Sequence, residues 1–191
     1  MRTLRLMRLG AWHGAPPPHP HPLHAWLADR GSLTARIKSE VSQFNLLRIT
    51  QRLQPPHRDE RRELQVRVHE YAVVREVLLR DGNTPLVFAH SVVARADLRT
   101  AWRGLSRLGS QPLGAMLFQD PTVSRLPMEY KKLDARHPLY QRAAAVAPVI
   151  TKTLWARRSV FIKQGRALLV TEVFLGLPSA AYSVIAQTVI A

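Results

Sequence analysis

The sequence predicts an α+β fold: a single domain built on one mainly antiparallel sheet. Two period-two runs carry this prediction, each folded back by turn residues into a hairpin, together with two stretches of helical spacing placed outside them. Length and composition agree. At 191 residues, 46% hydrophobic and 21% charged, the chain fits one soluble domain and is too apolar for compositional disorder. A domain of this size buries about 70% of the surface its unfolded chain exposes, so packing alone can hold it. With no cysteine, disulfides, thiolate metal sites and cysteine nucleophiles are excluded.

Taken in order, Met1–Gly10 places Arg2, Arg5 and Arg8 among leucines, which breaks any run long enough to be a signal-peptide core, and a cytoplasmic protein is expected. Residues 13–24 interleave Pro16, Pro17, Pro18, Pro20 and Pro22 with His19, His21 and His24. Such a stretch reads as an extended linker, and without acidic or cysteine partners its histidines predict no metal site. The reading is therefore of an arm over 1–22 and a domain over 23–191. Ser32 can cap a helix over 33–44, in which Leu33, Ile37, Val41 and Phe44 share a face. A strand over 46–53 and a charged loop over 54–62 follow. The first hairpin pairs 64–79 with 86–93 across Asp81, Gly82 and Asn83.

Asp97 then caps an expected second helix through Leu98, Ala101, Trp102, Leu105 and Leu108, which Gly109 ends. In the middle region, 128–133 reads as a strand and 140–146 as a short helix. The second hairpin pairs 158–162 with 167–175 across Lys163, Gln164 and Gly165. The last 19 residues, Val173–Ala191, carry no charge, close to the roughly 20 of a membrane helix. Gly176, Pro178, Ser183, Gln187 and Thr188 interrupt them, so they read as a strand and an apolar tail packed on the domain.

The formal charge is +15, from 28 basic and 13 acidic residues, and it favours small anions and weak association with anionic membrane surfaces. The basic residues are scattered and follow no recognition motif, so no specific nucleic-acid partner is predicted. Walker loops, GxGxxG, HExxH, GxSxG and EF-hand patterns are all missing from the sequence. Attention moves to charges set in apolar strands. Strand alternation puts Arg75 on one face with Val73, Val77 and Leu79, and Glu172 on one face with Val170 and Phe174. A buried guanidinium cannot shed its charge and requires an anionic partner, while an enclosed carboxyl either has its pKa raised or pairs with a cation. Two readings follow: an Arg75–Glu172 ion pair inside the sheet, or two ligand-binding groups.

Several segments occur in an order and spacing that resembles the chorismate pyruvate-lyase family. They are Trp26-Leu27, Gly31-Ser32-Leu33-Thr34, Arg75-Glu76-Val77-Leu78-Leu79, the run from Leu108-Gly109-Ser110 to Phe118, Arg157-Arg158-Ser159 and Thr171-Glu172-Val173-Phe174-Leu175. The match runs from about 24 to 178. The sequence departs from the family pattern at Gly176, where proline usually continues it, and in a longer 118–157 segment. The resemblance implies a cofactor-free, metal-free lyase that converts chorismate to 4-hydroxybenzoate and pyruvate, the first committed step of bacterial ubiquinone biosynthesis. It also implies helical flaps over a buried ligand pocket, and a monomer whose partner is the small molecule chorismate. The family's arginine falls on Arg75 and its glutamate on Glu172, both as catalytic and ligand-binding residues, and backbone groups at Leu33 and Leu113 complete the pocket. A rival reading is a non-catalytic ligand-sensing domain of the same architecture. The regulators that use such a domain carry a DNA-binding module ahead of it, for which the arm is too short.

Overall fold

A computed structural model describes residues 11–149 and 151–178; Met1–Gly10 and 179–191, with the expectations made for them, lie outside the described residues. Among the described residues the sheet has seven strands: β1 (Phe44–Gln54), β2 (Ala72–Asp81), β3 (Thr84–Ala94), β4 (Ser124–Arg125), β5 (Glu129–Asp134), β6 (Thr153–Lys163) and β7 (Arg166–Phe174). Their order is β1-β2-β3-β7-β6, with β4 and β5 both pairing β6, and every pairing is antiparallel. Both hairpins form as the alternation predicts. The second turns through Gln164 and Gly165 at φ 51 and 71, the positive pair that a primed two-residue turn demands. Among the described residues five helices surround the sheet: α1 (His24–Ala28), α2 (Leu33–Glu40), α3 (Arg58–Leu64), α4 (Leu113–Phe118) and α5 (Pro138–Val146).

Three expectations change. The charged loop over 54–62 is largely α3, and β2 begins at Ala72 rather than Leu64. A capping box explains it: Glu60 accepts from the His57 backbone N–H, Asp59 and Glu60 sit in the first turn, and Gln65 closes the helix at φ 54. The helix from Leu33 stops at Glu40, because Phe44 is drawn into β1 opposite Asp81. The helix expected after Asp97 is two 3₁₀ turns, Arg95–Arg99 and Arg103–Arg107. Between them Trp102 is buried with its Nε1 donating to the Arg166 carbonyl at 3.1 Å, which fixes the chain in a path a continuous helix would not follow.

Sheet alternation sorts the core. On the front face, α1 and α2 pack on Val77, Leu79, Val87 and Phe174, while the 3₁₀ turns and α4 pack on Val73, Val93, Phe161 and Leu168. On the back, α5 packs on Leu78, Phe88, Ala156 and Val173, and α3 on Val74, Val92 and Leu169. Each fully buried side chain of this kind contributes about 1.5–3 kcal/mol. The proline-rich segment runs without helix up to His24 and touches the body at several points. His13 bridges Tyr130, Trp12 Nε1 donates to Asp59 at 2.8 Å, and Pro17 is buried.

Candidate functional site

Registers across the sheet place the polar side chains of the front face in rows. Arg75 pairs with Ser91, Ser91 with Val170, and Val170 with Ser159, which makes one row from β2 to β6. The next row is Val77, Ala89, Glu172, Arg157 and Tyr130. Both rows run between the two front apolar clusters. Here a pocket opens, walled by Leu33, Leu113, Arg75, Glu172, Arg125 and the rings of Phe118 and Phe161, among others.

Arg75 is 1% exposed, and its Nη2 donates to the carbonyls of Gly109 at 3.3 Å and Gln111 at 2.8 Å. Its buried Nε finds no acceptor among the described residues. Burial and the nearby Arg48 pull its pKa below the usual arginine value. A buried donor left unmatched costs about 1–3 kcal/mol, which an anion in the pocket would recover.

Glu172 lies two strands and two residues away from Arg75, roughly 12 Å between Cα atoms at ordinary sheet spacings. The expected alternative of an Arg75–Glu172 ion pair does not form. Glu172 instead accepts from Arg157 Nε at 2.5 Å, its directly opposite neighbour on β6, and keeps 17% of its side chain exposed toward the pocket. Arg157 in turn donates to the carbonyls of Trp26, Leu27 and Asp29 at 2.9, 3.3 and 2.6 Å. One fully buried arginine therefore holds both the carboxylate and the C-terminal end of α1.

Leu33 and Leu113 are the first residues of α2 and α4, so their backbones sit on the pocket wall at the two helix entries. These entries nearly touch. A Cβ on Gly114 would stand 2.8 Å from Ser32 Oγ, so glycine there lets the two flaps meet.

The structure thus brings together all four residues singled out from the sequence. It adds Arg125, Arg157, Ser91 and Ser159. Ser91 and Ser159 were findable from alternation once β3 and β6 were aligned. Arg125 was not, because it lies on a two-residue strand in the segment with least periodicity.

The back face carries a second polar row, Glu76, His90, Thr171 and Arg158. His90 Nδ1 lies 3.3 Å from Glu76 and its Nε2 lies 3.0 Å from Glu60, and these carboxylates raise its pKa to about 9 against its complete burial. His57, Glu60 and His90 present donor atoms within 4.8 Å of one another, a cluster the sequence did not suggest. Carboxylates flank both ring nitrogens of His90, so the set reads as an ion-pair network. Among the described residues no helix is long and apolar enough to cross a membrane.

Comparison with known proteins agrees with the fold and the family resemblance. The family model described as chorismate lyase matches residues 17–185. A protein of Nitrosomonas europaea, "Probable chorismate pyruvate-lyase", is 50% identical over 165 residues, covering 86% of this chain and 93% of that one. One of the same description from Thiobacillus denitrificans is 48% identical over 156 residues, covering 82% and 83%. Among solved structures, the PhnF C-terminal domain matches with TM-score 0.54 at 17% identity over 70% of this chain and 84% of that one. The effector-binding domain of the B. subtilis trehalose repressor matches with 0.53 at 6% over 69% and 90%. At such identities these last two show a shared fold only. The matched family model and the relatives near 50% identity place this chain in the chorismate lyase family.

Proposed function

We propose that the protein is a chorismate lyase, releasing 4-hydroxybenzoate and pyruvate without metal or cofactor at the head of ubiquinone biosynthesis. The observation that carries the reading is the buried Arg75 guanidinium, matched only by backbone carbonyls and facing a Glu172 carboxylate across a pocket closed by two helices. The relatives near 50% identity and their names support the same chemistry.

Arg75 binds the ring carboxylate, since the two carbonyls occupy only Nη2 and leave the N–H groups of Nη1 and the unmatched Nε for an anion. Glu172 accepts a hydrogen bond from the 4-hydroxyl at the other end of the ring, its orientation fixed by Arg157. The backbones at Leu33 and Leu113 line the ring between them. In the reaction the C3–O bond breaks, the C4 hydrogen leaves the ring, and the enolpyruvyl methylene gains a hydrogen to become the methyl of pyruvate. The ring becomes aromatic and drives the step downhill without net oxidation. The site's work is orientation and electrostatic preorganisation, which serves both direct transfer from C4 to the methylene and stepwise elimination.

The test is incubation with chorismate in EDTA while ultraviolet absorbance follows 4-hydroxybenzoate. Sustained turnover is expected. Activity lost to EDTA and restored by a divalent ion would overturn the metal-free mechanism. Tight chorismate binding with no product would favour the ligand-sensing alternative.

A further inference from the structure

Chorismate carries two carboxylates, and Arg75 accounts for one. We infer that Arg125 binds the other, the carboxylate of the enolpyruvyl group, and so distinguishes the dianionic substrate from the monoanionic product. The inference rests on the lyase reading of the same site.

The position fits. Arg125 pairs with Phe161 on β6, and its Nε donates to Ser159 Oγ at 2.9 Å, the residue that ends the row begun by Arg75. The pocket therefore has an arginine at each end of one row. Four strand spacings, roughly 19 Å, separate the backbones of β2 and β4, and two long side chains reaching inward bring the guanidinium groups much closer, toward the span of a small dicarboxylate. Among the described residues neither arginine takes part in an ion pair, whereas Arg157 is neutralised by Glu172. The two unneutralised cations match the two charges of the substrate.

The guanidinium also has capacity left. Its other two contacts are Nη1 to the Arg30 carbonyl at 2.7 Å and Nη2 to Met128 Sδ at 3.0 Å, so three of its five N–H groups are used, one of them on a weak thioether acceptor. The rings of Phe118 and Phe161 lie 5.5 and 5.3 Å from its central carbon and hold the cation in an apolar wall. Which carboxylate it takes follows from connectivity. The 4-hydroxyl and the enolpyruvyl ether sit on neighbouring ring carbons, so the group that binds the enolpyruvyl carboxylate must lie near Glu172. Arg125 does, since Ser159 and Glu172 occupy adjacent strands and adjacent rows, and it feels the charge of Glu172. Arg75 lies on the far side of the ring.

The test compares substrate and product on one variant. Arg125→Met should raise the KM for chorismate at least about 30-fold, the low end for truncating one partner of a buried charge contact. The inhibition constant of 4-hydroxybenzoate should stay within about threefold, because the product lacks the second carboxylate. Arg125→Lys should recover part of the lost affinity. Equal weakening of substrate and product would show that Arg125 only shapes the pocket, and no change in either would remove it from the site; both overturn the inference. If Arg125→Met fails to fold, the wild-type protein decides through ligand affinities. A benzoate bearing a 3-carboxymethoxy group should bind at least tenfold tighter than 3-methoxybenzoate, and equal binding overturns the inference. Absence of turnover by the wild type would instead count against the lyase reading, and the same ligand pair would still report on Arg125.

Discussion

The two faces of the sheet carry polar rows built from sequence neighbours: Arg75 and Glu76, His90 and Ser91, Thr171 and Glu172, Arg157 and Arg158 alternate front and back. The back row is paired charge against charge, although His90 Nε2 and Glu60 Oε1 make no hydrogen bond of good geometry. His90 lies between Glu60 and Glu76, Arg142 reaches Glu76 at 2.5 Å, and Arg158 meets Glu129, Glu63 and Asp59 at 2.7, 3.4 and 3.5 Å. The front row is not, for Arg75 and Arg125 find only neutral acceptors. Burial alone does not separate the faces, since both hold charged residues nearly inaccessible to water. The difference lies in whether the protein itself supplies the countercharge. A row whose charges are paired within the protein holds the fold, and one with cations left unpaired awaits a ligand.

The sharpest way to break this contrast is to remove the central cation of the back row. His90→Ala leaves Glu60 and Glu76 buried with Arg142 as the main remaining cation, and should cost about 3–5 kcal/mol in chemical denaturation. Below its melting point the variant should retain the wild-type KM. The same site sets a pH window. The pKa of His90, raised to about 9 from 6.5, gives stability that is full below pH 6.5 and lost as pH rises through 9. That of Glu76, lowered to about 2 from 4.5, gives stability present above pH 4.5 and lost as pH falls toward 2. In melting curves against pH, His90→Gln should lose the alkaline limb.

On the front face the effects should fall on ligands. Arg75→Ala should weaken 4-hydroxybenzoate binding by about 2–5 kcal/mol by titration calorimetry, and Arg75→Lys should recover little, since a point charge cannot replace the fork. Because Arg75 has no ion-pair partner to strand, its melting point should shift less than that of His90→Ala. Glu172→Gln should lower turnover about a hundredfold or more, the scale of acid–base and charge effects at a reacting centre. Its stability should fall by only about 1–3 kcal/mol, because Arg157 keeps three carbonyl acceptors. A collapsed melt in Glu172→Gln, or an unchanged rate, would erase the distinction between the faces.

The smallest effect concerns the flaps. Gly114→Ala forces its new methyl to 2.8 Å from Ser32 Oγ, and parting the helix entries should raise KM several-fold, about 1 kcal/mol. Adding Ser32→Ala should reverse most of this, at the cost of the N-cap bond to Ala35.

How much of this was legible depended on local periodicity. Both hairpins and the anomalous Arg75 and Glu172 follow from strand alternation, which needs no knowledge of neighbours. Partnership does not follow: which cation meets Glu172 is set by the β6–β7 register, and Arg157 was adjacent in space but 15 positions away in sequence. Helix α3 was hidden because Leu64, Val66 and Val68 continue the alternation of β2, although Val68 is exposed and Leu64 packs as a helix residue. The 3₁₀ turns were hidden because the hydrogen bond that anchors Trp102 between them is accepted by the Arg166 carbonyl, far along the chain.

The pairing of β3 with β7 has a consequence for the order in which the molecule assembles. Strands β1, β2 and β3 form a local meander, but Val87–Val93 must wait for Leu168–Phe174, among the described residues the last strand to leave the ribosome. Until then β3 is an open, largely apolar edge, the kind of surface on which unfinished chains pair with one another. The contacts from Arg157 back to Trp26, Leu27 and Asp29 span 128 to 131 positions, so the first helix also docks at the end. Arg75 is made early and Glu172 late. No partial chain can hold a ligand between them, and the pocket comes into being in the same step that seals the sheet.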